Sequence, residues 1–184
     1  LRDLLPNSVV MRFADFLKEI VLTCFVPSKW GWSVEDLDLD DNKNRVTPCG
    51  KTVRQLLQVI GTDWFRHTYQ DCWITAFEKK ASKVTCSHIL VPDVRFPNEL
   101  EAIQRMGGVV VRLTRAPFQD EDQHESETAL DEVAYNTQHV LDADPVFNVI
   151  CDNQNMSMDE QAEWTKAWIK STLGKRAIKT KRRS

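Results

Sequence analysis

Four short apolar runs, each followed by charged residues and alternating with helix-like segments, constrain this chain most strongly. The runs are Val9–Ala14, Ser87–Val91, Val109–Leu113 and Phe147–Cys151. The run Ser87–Val91 has no polar alternation, as a strand covered on both faces requires. Helical spacing of apolar residues predicts helices at Asp15–Phe25, with Asp15 at the cap, and at Thr52–Ile60, closed by Gly61. Further helices are expected at Asp63–Lys80 (one or two), Asn98–Met106 before Gly107-Gly108, Thr128–Asn136 and Met158–Leu173. Val- and Ile-rich strands alternating with helices predict an α/β fold with a mostly parallel sheet. Leu1, Leu4 and Leu5 share a helical face that Pro6-Asn7 stops, which reads as the end of a helix already under way.

The length of 184 residues fits one domain able to bury a sizeable core. No run of about 18 apolar residues exists, so no membrane span is expected. Five scattered cysteines, Cys24, Cys49, Cys72, Cys86 and Cys151, form no C-x-x-C pair, which argues for a reducing cytoplasm and against a structural zinc site. The net charge of −3 is uneven: the last eleven residues, GKRAIKTKRRS, hold six basic residues and no acid, so the body stands near −9. A tail of this kind, residues 174–184, is expected to be disordered. The acidic body argues against nucleic acid as the partner. Asp36, Asp38, Asp40 and Asp41 lack the glycine and closing glutamate of a calcium loop.

In open α/β sheets ligands bind beyond the carboxyl ends of the strands. Applied here, that rule singles out Arg12 and Asp15, Asp93 and Arg95, Arg112 and Arg115, and Asp152 and Asn153. Several arginines on one rim suit an anion with oxygens to fork, and an acid among them suits magnesium held directly or through water. A second cluster, RQLLQVIGTDWFRHTYQDCWI, places Arg54 and Gln58 on one helical face, with Arg66 after the glycine. Its Tyr69 and Trp73 could stack on a base or fill the core, and the core is the commoner use of a tryptophan. A third segment, RAPFQDEDQHESE, is poor in core residues, as mobile lids are, and contains His124, Glu125 and Glu127 without a second histidine at protease spacing.

These clusters, in this order, resemble the phage-type deoxynucleoside monophosphate kinases of the P-loop kinase superfamily. The matching pieces are FADFLKEI, RQLLQVIGTDWFR with Trp73, VPDVRFPNELEAI, GGVVVRLTR, HESE and the strand ending in Cys151-Asp152-Asn153. The resemblance implies a three-layer α/β fold with a parallel five-stranded sheet. It implies a helical monophosphate-binding region at about residues 30–80 and a lid at about 115–131, within a kinase-like domain of residues 1–173. The implied activity transfers the γ-phosphoryl group of ATP, with Mg2+, to a deoxynucleoside monophosphate. By resemblance, Arg54, Gln58 and Arg66, with Tyr69 and Trp73 beside them, look like the monophosphate site, and Asp93 like the acid that orients magnesium. Arg95 looks like a phosphate contact, Arg115 opens the lid, His124 and Glu127 help it close, and Asn153 lies on the loop passing adenine. Oligomeric state stays open, with a homodimer among the options.

The departures are specific. The glycine-rich motif G-x-x-x-x-G-K-[ST] is absent, and neither Gly50-Lys51 nor Gly174-Lys175 has the upstream glycine and strand that it needs. The first strand and P-loop of the family are therefore expected to be missing by truncation, and this chain alone is expected to be inactive. Phe16 stands where relatives usually carry proline. The rival readings are a non-enzymatic nucleotide-binding or interaction module without a P-loop, and a nucleic-acid binder working through the basic tail.

Overall fold

The computed structural model describes residues 5–115, 129–130 and 149–181. Strand β1 (Ser8–Val10) leads through Met11 and Phe13 into helix α1 (Asp15–Phe25). Two 3-10 turns, Ser28–Trp30 and Glu35–Asp38, and the short helix α2 (Asp40–Lys43) make an irregular connection. Helix α3 (Val53–Gln58) follows, then a π-helix (Val59–Arg66) and helix α4 (Cys72–Ala81). Strand β2 (His88–Leu90), helix α5 (Pro97–Arg105), strands β3 (Val111–Leu113) and β4 (Val149–Cys151), and helix α6 (Met158–Lys181) complete the order.

Both strand pairings are parallel, as expected from strands that alternate with helices. Strand β1 pairs with β2 in the register Ser8 to His88, and β3 pairs with β4 in the register Val111 to Val149. Among the described residues the strands form two separate two-stranded sheets rather than the single five-stranded sheet that the resemblance implied. The larger core cluster gathers Met11, Phe13, Leu17 and Val21 with Val53 and Ile60, and with Trp73 and Phe77 of α4. Phe13 and Phe77 bring their ring centroids to 4.5 Å. A smaller cluster forms around Leu100 and Val110, and Val94 and Ile103 pack against both.

Two sequence expectations need correction. Helix α3 does not stop at Gly61. The chain continues through it as a π-helix to Arg66, and the His67 amide donates five residues back to Thr62. Gly61 serves close approach instead: a β-carbon there would lie 2.6 Å from Leu17 Cδ2. Asp15 does not cap its own helix. Its Oδ2 accepts the Arg12 amide and pairs with Lys80, and the Ala14 amide at the cap position is met from another strand end, described below. Helix α6, expected over Met158–Leu173, runs on to Lys181.

Local signals explain the ends that sequence located well. Thr52 and Gln55 form a capping box at α3, and Ser157 and Glu160 exchange the same pair of bonds at α6. At the end of α5, Gly107 N–H donates to Gln104 O at 2.9 Å and Gly108 N–H to Ile103 O at 2.9 Å. This is a Schellman closure, with Gly107 at φ 77°. The second glycine is needed for space, since a β-carbon on Gly108 would meet Ile103 O at 2.8 Å. Gly107→Ala and Gly108→Ala are each expected to lower stability by about 1–2 kcal/mol in urea denaturation. Unchanged midpoints would show that the closure does not hold α5 in place.

Candidate functional site

The parallel pairing of β1 and β2 brings their carboxyl ends side by side, with Met11 N–H on Leu90 O at 3.0 Å. Beyond those ends Asp93 reaches across. Its Oδ1 accepts the Phe13 amide at 3.2 Å and its Oδ2 the Ala14 amide at 3.0 Å. The carboxylate thereby answers the exposed amides at the start of α1, where the helix dipole also favours a negative charge. Burial pushes the Asp93 carboxyl above its usual range, against the pull of the two amides and Lys18. A carboxylate has about four acceptor positions, so two remain on Asp93 for another donor.

The other pair of strand ends interlocks more tightly. Asn153 is buried, and its Oδ1 accepts the Arg115 amide at 2.8 Å while its Nδ2 donates to Gln161 Oε1 at 3.1 Å. The Arg115 guanidinium folds back on the carbonyls of Asn153, at 2.8 Å from Nη2, and of Met156. Thr114 Oγ1 donates to Asp152 Oδ1 at 2.8 Å. The four strand ends are thus joined two by two: β1 to β2 through Asp93, and β3 to β4 through Arg115 and Asn153.

A third assembly centres on Glu99, which is 2% exposed. Its Oε2 accepts the Arg95 amide at 2.8 Å and the Phe96 amide at 3.2 Å, and its Oε1 takes Nη2 of Arg66. Burial pushes the Glu99 carboxyl up, opposed by Arg66 and the two amides. The guanidinium carbon of Arg66 lies over Phe96, 3.7 Å from the ring centroid, and the Arg66 side chain is 10% exposed. Its Nη1 is buried with no acceptor among the described residues. Asn98 adds a tie between α5 and the turn before α4, donating to Gln70 O at 3.2 Å and Asp71 Oδ1 at 2.8 Å.

The remaining expected site residues are placed as follows. Arg54 is exposed on α3 and pairs with Asp40 Oδ1 at 3.2 Å. Gln58 is half-buried at the end of α3. Tyr69 is 54% exposed, with its hydroxyl 3.2 Å from Thr75 Oγ1. Trp73 is 3% exposed and donates its indole N–H to Gly61 O at 3.0 Å, so it is a core residue and offers no face for stacking. Arg95 is exposed at the turn that leads into α5. His124 and Glu127 lie outside the described residues. Among the described residues no group of three or more metal-ligating side chains forms, and no helix is long and apolar enough to cross a membrane.

Sequence reasoning passed over Glu99 and Lys18. Both carry a signal in hindsight: Phe96, Leu100 and Ile103 mark the inward stripe of α5, and Glu99 sits on it, three residues after Phe96 at the cap position. Lys18 occupies the inward stripe of α1 beside Leu17 and Val21, and its buried ammonium meets Asp38 at 2.5 Å. A charge on an apolar stripe implies a partner brought by the fold.

A family model for deoxynucleotide monophosphate kinase matches residues 23–152. The chain belongs to this family. The match contains Asp93, Arg66 and Glu99 and runs to the end of β4. The chain is also 28% identical, over 134 residues, to a protein of Acanthamoeba polyphaga mimivirus described as "Putative deoxynucleotide monophosphate kinase". That similarity covers 64% of this chain and 66% of the viral protein, just under two thirds of its length.

Asp93→Ala is expected to cost about 1–2 kcal/mol of stability, as loss of a helix cap does, and to speed hydrogen exchange at Phe13 and Ala14. Because the folded state raises the Asp93 pKa, its favourable contribution is full below the unfolded value, about 4, and is lost as pH rises through the folded value. The stability difference between the parent and Asp93→Asn should therefore shrink from acid pH toward neutrality. A difference that grows over that range would reverse the assigned sign.

Proposed function

We propose that this chain carries the monophosphate-binding and magnesium-side parts of an enzyme that transfers the γ-phosphoryl group of ATP to a deoxynucleoside monophosphate, giving the diphosphate. The family match over residues 23–152 carries the reading. The geometry supports it through one arrangement: an acid leaving a parallel strand and seated at the amino end of the neighbouring helix, with arginines on the segments around it. In this reading the fold is a three-layer P-loop kinase-like fold, with the two parallel strand pairs as parts of one sheet.

Phosphoryl transfer asks little covalent chemistry of a protein and much positioning and positive charge. Arg54, Gln58 and Arg66 are assigned to the monophosphate, and Tyr69 to the edge of its base. Arg95 and Arg115 are assigned to the transferred phosphate, which requires Arg115 to exchange carbonyl partners for phosphate oxygens. His124 and Glu127 are assigned to lid closure, and Asn153 to the loop passing adenine. Trp73 is assigned to support of the Arg66 segment. Asp93 keeps two acceptor positions, which suits Mg2+ bound through its own water, the habit of an ion that dehydrates reluctantly. The ion, when bound, neutralises charge on the ATP phosphates.

The reading also needs an amide cradle and a lysine for those phosphates, and the sequence contains no G-x-x-x-x-G-K-[ST]. The same fact favours a second reading, a nucleotide-binding module without catalysis. One assay separates them. The 184-residue chain and a form that also carries the cradle motif are tested for phosphate transfer from ATP to the four deoxynucleoside monophosphates. The kinase reading expects no transfer by the first and turnover by the second. In the active form Arg54→Ala is expected to raise KM for the monophosphate about tenfold with kcat little changed, and Asp93→Asn to lower kcat about a hundredfold. Full rates in both variants would overturn the residue assignment. Absence of transfer in the cradle-bearing form would favour the binding module.

A further inference from the structure

The guanidinium of Arg66 is engaged on one edge and one face and idle on the other edge. Nη2 meets Glu99 Oε1, the guanidinium carbon sits over the ring of Phe96, and Nη1 is buried with no acceptor among the described residues. Leaving a donor of a buried cation unmet is costly, and native folds keep such groups where another role compensates. A purely structural staple between the π-helix and α5 would need one carboxylate bond and could leave the opposite edge in water. Here that edge is turned inward instead.

Glu99 itself is over-determined. The amides of Arg95 and Phe96 fix Oε2, so Oε1 points to one place, and the ring of Phe96 fixes the plane of the guanidinium that meets it. These contacts leave the cation little freedom to rotate. The segment that delivers Arg66 is a π-helix, a rare form that concentrates at functional sites.

We propose that Nη1 of Arg66 is the donor kept for a phosphate oxygen of the monophosphate, and that Glu99 and Phe96 are the positioning residues that aim it. This inference rests on the assignment of Arg66 to the monophosphate made above. Because Nη1 is covered, the oxygen reaches it as neighbouring side chains at the end of the π-helix part. Arg66 supplies the contact; Glu99 and Phe96 act through it and do not touch the substrate.

The test is calorimetric titration of the 184-residue chain with the four deoxynucleoside monophosphates and the matching deoxynucleosides. The ratio of nucleoside Kd to monophosphate Kd isolates what the phosphate adds. Glu99→Gln and Arg66→Gln are each expected to reduce that ratio about tenfold, the worth of one hydrogen bond to a charged group. Glu78→Gln, which breaks the exposed pair with Arg105, should leave it unchanged. A merely structural Glu99 would lower the melting temperature and spare the ratio. If Glu99→Gln fails to fold, Phe96→Leu decides, since it keeps an apolar neighbour but removes the aromatic face. A reduced ratio in Arg66→Gln with the parent value in Glu99→Gln, or in Phe96→Leu where that variant decides, overturns the positioning role alone. A parent ratio near one, or an Arg66→Gln ratio equal to the parent's, overturns the monophosphate-site reading and this inference together.

Discussion

A carboxylate withdrawn from water must have its charge answered by the fold, and Glu99 shows what that demand organises here. Its two oxygens take two backbone amides of its own turn and one arginine from a distant helix. Breaking a buried pair by removing one partner commonly costs about 3–5 kcal/mol, because the other charge is stranded. The bond therefore fixes the start of α5 against the end of the π-helix. Through α5 it also locates the β2 end, since Asp93 precedes Glu99 by six residues. The acid side and the arginine side of the proposed site are built on the same short segment, residues 93–99.

Much of the fold was legible because its signals are local. The parallel strands announced themselves as Val- and Ile-rich runs alternating with helices, and the α5 terminus as two adjacent glycines. Helix α1 was read with its observed limits, Asp15–Phe25. Its cap was not, because the capping group arrives from Asp93, about 80 residues away in sequence. Local chemistry offered Asp15 for the job, and tertiary structure gave it to another acid. Gly61 was misread for a related reason. A glycine in a helical pattern signals either a stop or a close neighbour, and the neighbour, Leu17, lies on a different element.

The candidate site was legible in residue type more than in arrangement. Charged residues beyond the strand ends were singled out by type alone, and the described structure joins them in two groups with different characters. The Asp93 group retains acceptor capacity, while the Arg115–Asn153 group is closed on itself by hydrogen bonds to the backbone. No pattern of residue types distinguishes an arginine held by carbonyls from one aimed at a ligand. That difference is set by packing, as is the burial of Trp73, whose indole N–H finds an acceptor in the carbonyl of Gly61.

The π-helix adds a constraint of another kind, on chain length. A π-turn accommodates an extra residue relative to an α-helix, and each residue of an α-helix advances the side-chain direction by about 100°. Removing a residue between Val59 and Phe65 would let the segment relax into ordinary α-helix, the more stable form locally. It would also swing Arg66 away from Glu99 and draw the Gly61 carbonyl from under Trp73. Spacing along this segment is therefore held more firmly than the identity of exposed members such as Trp64. A deletion there would improve the helix and dismantle the corner it supports.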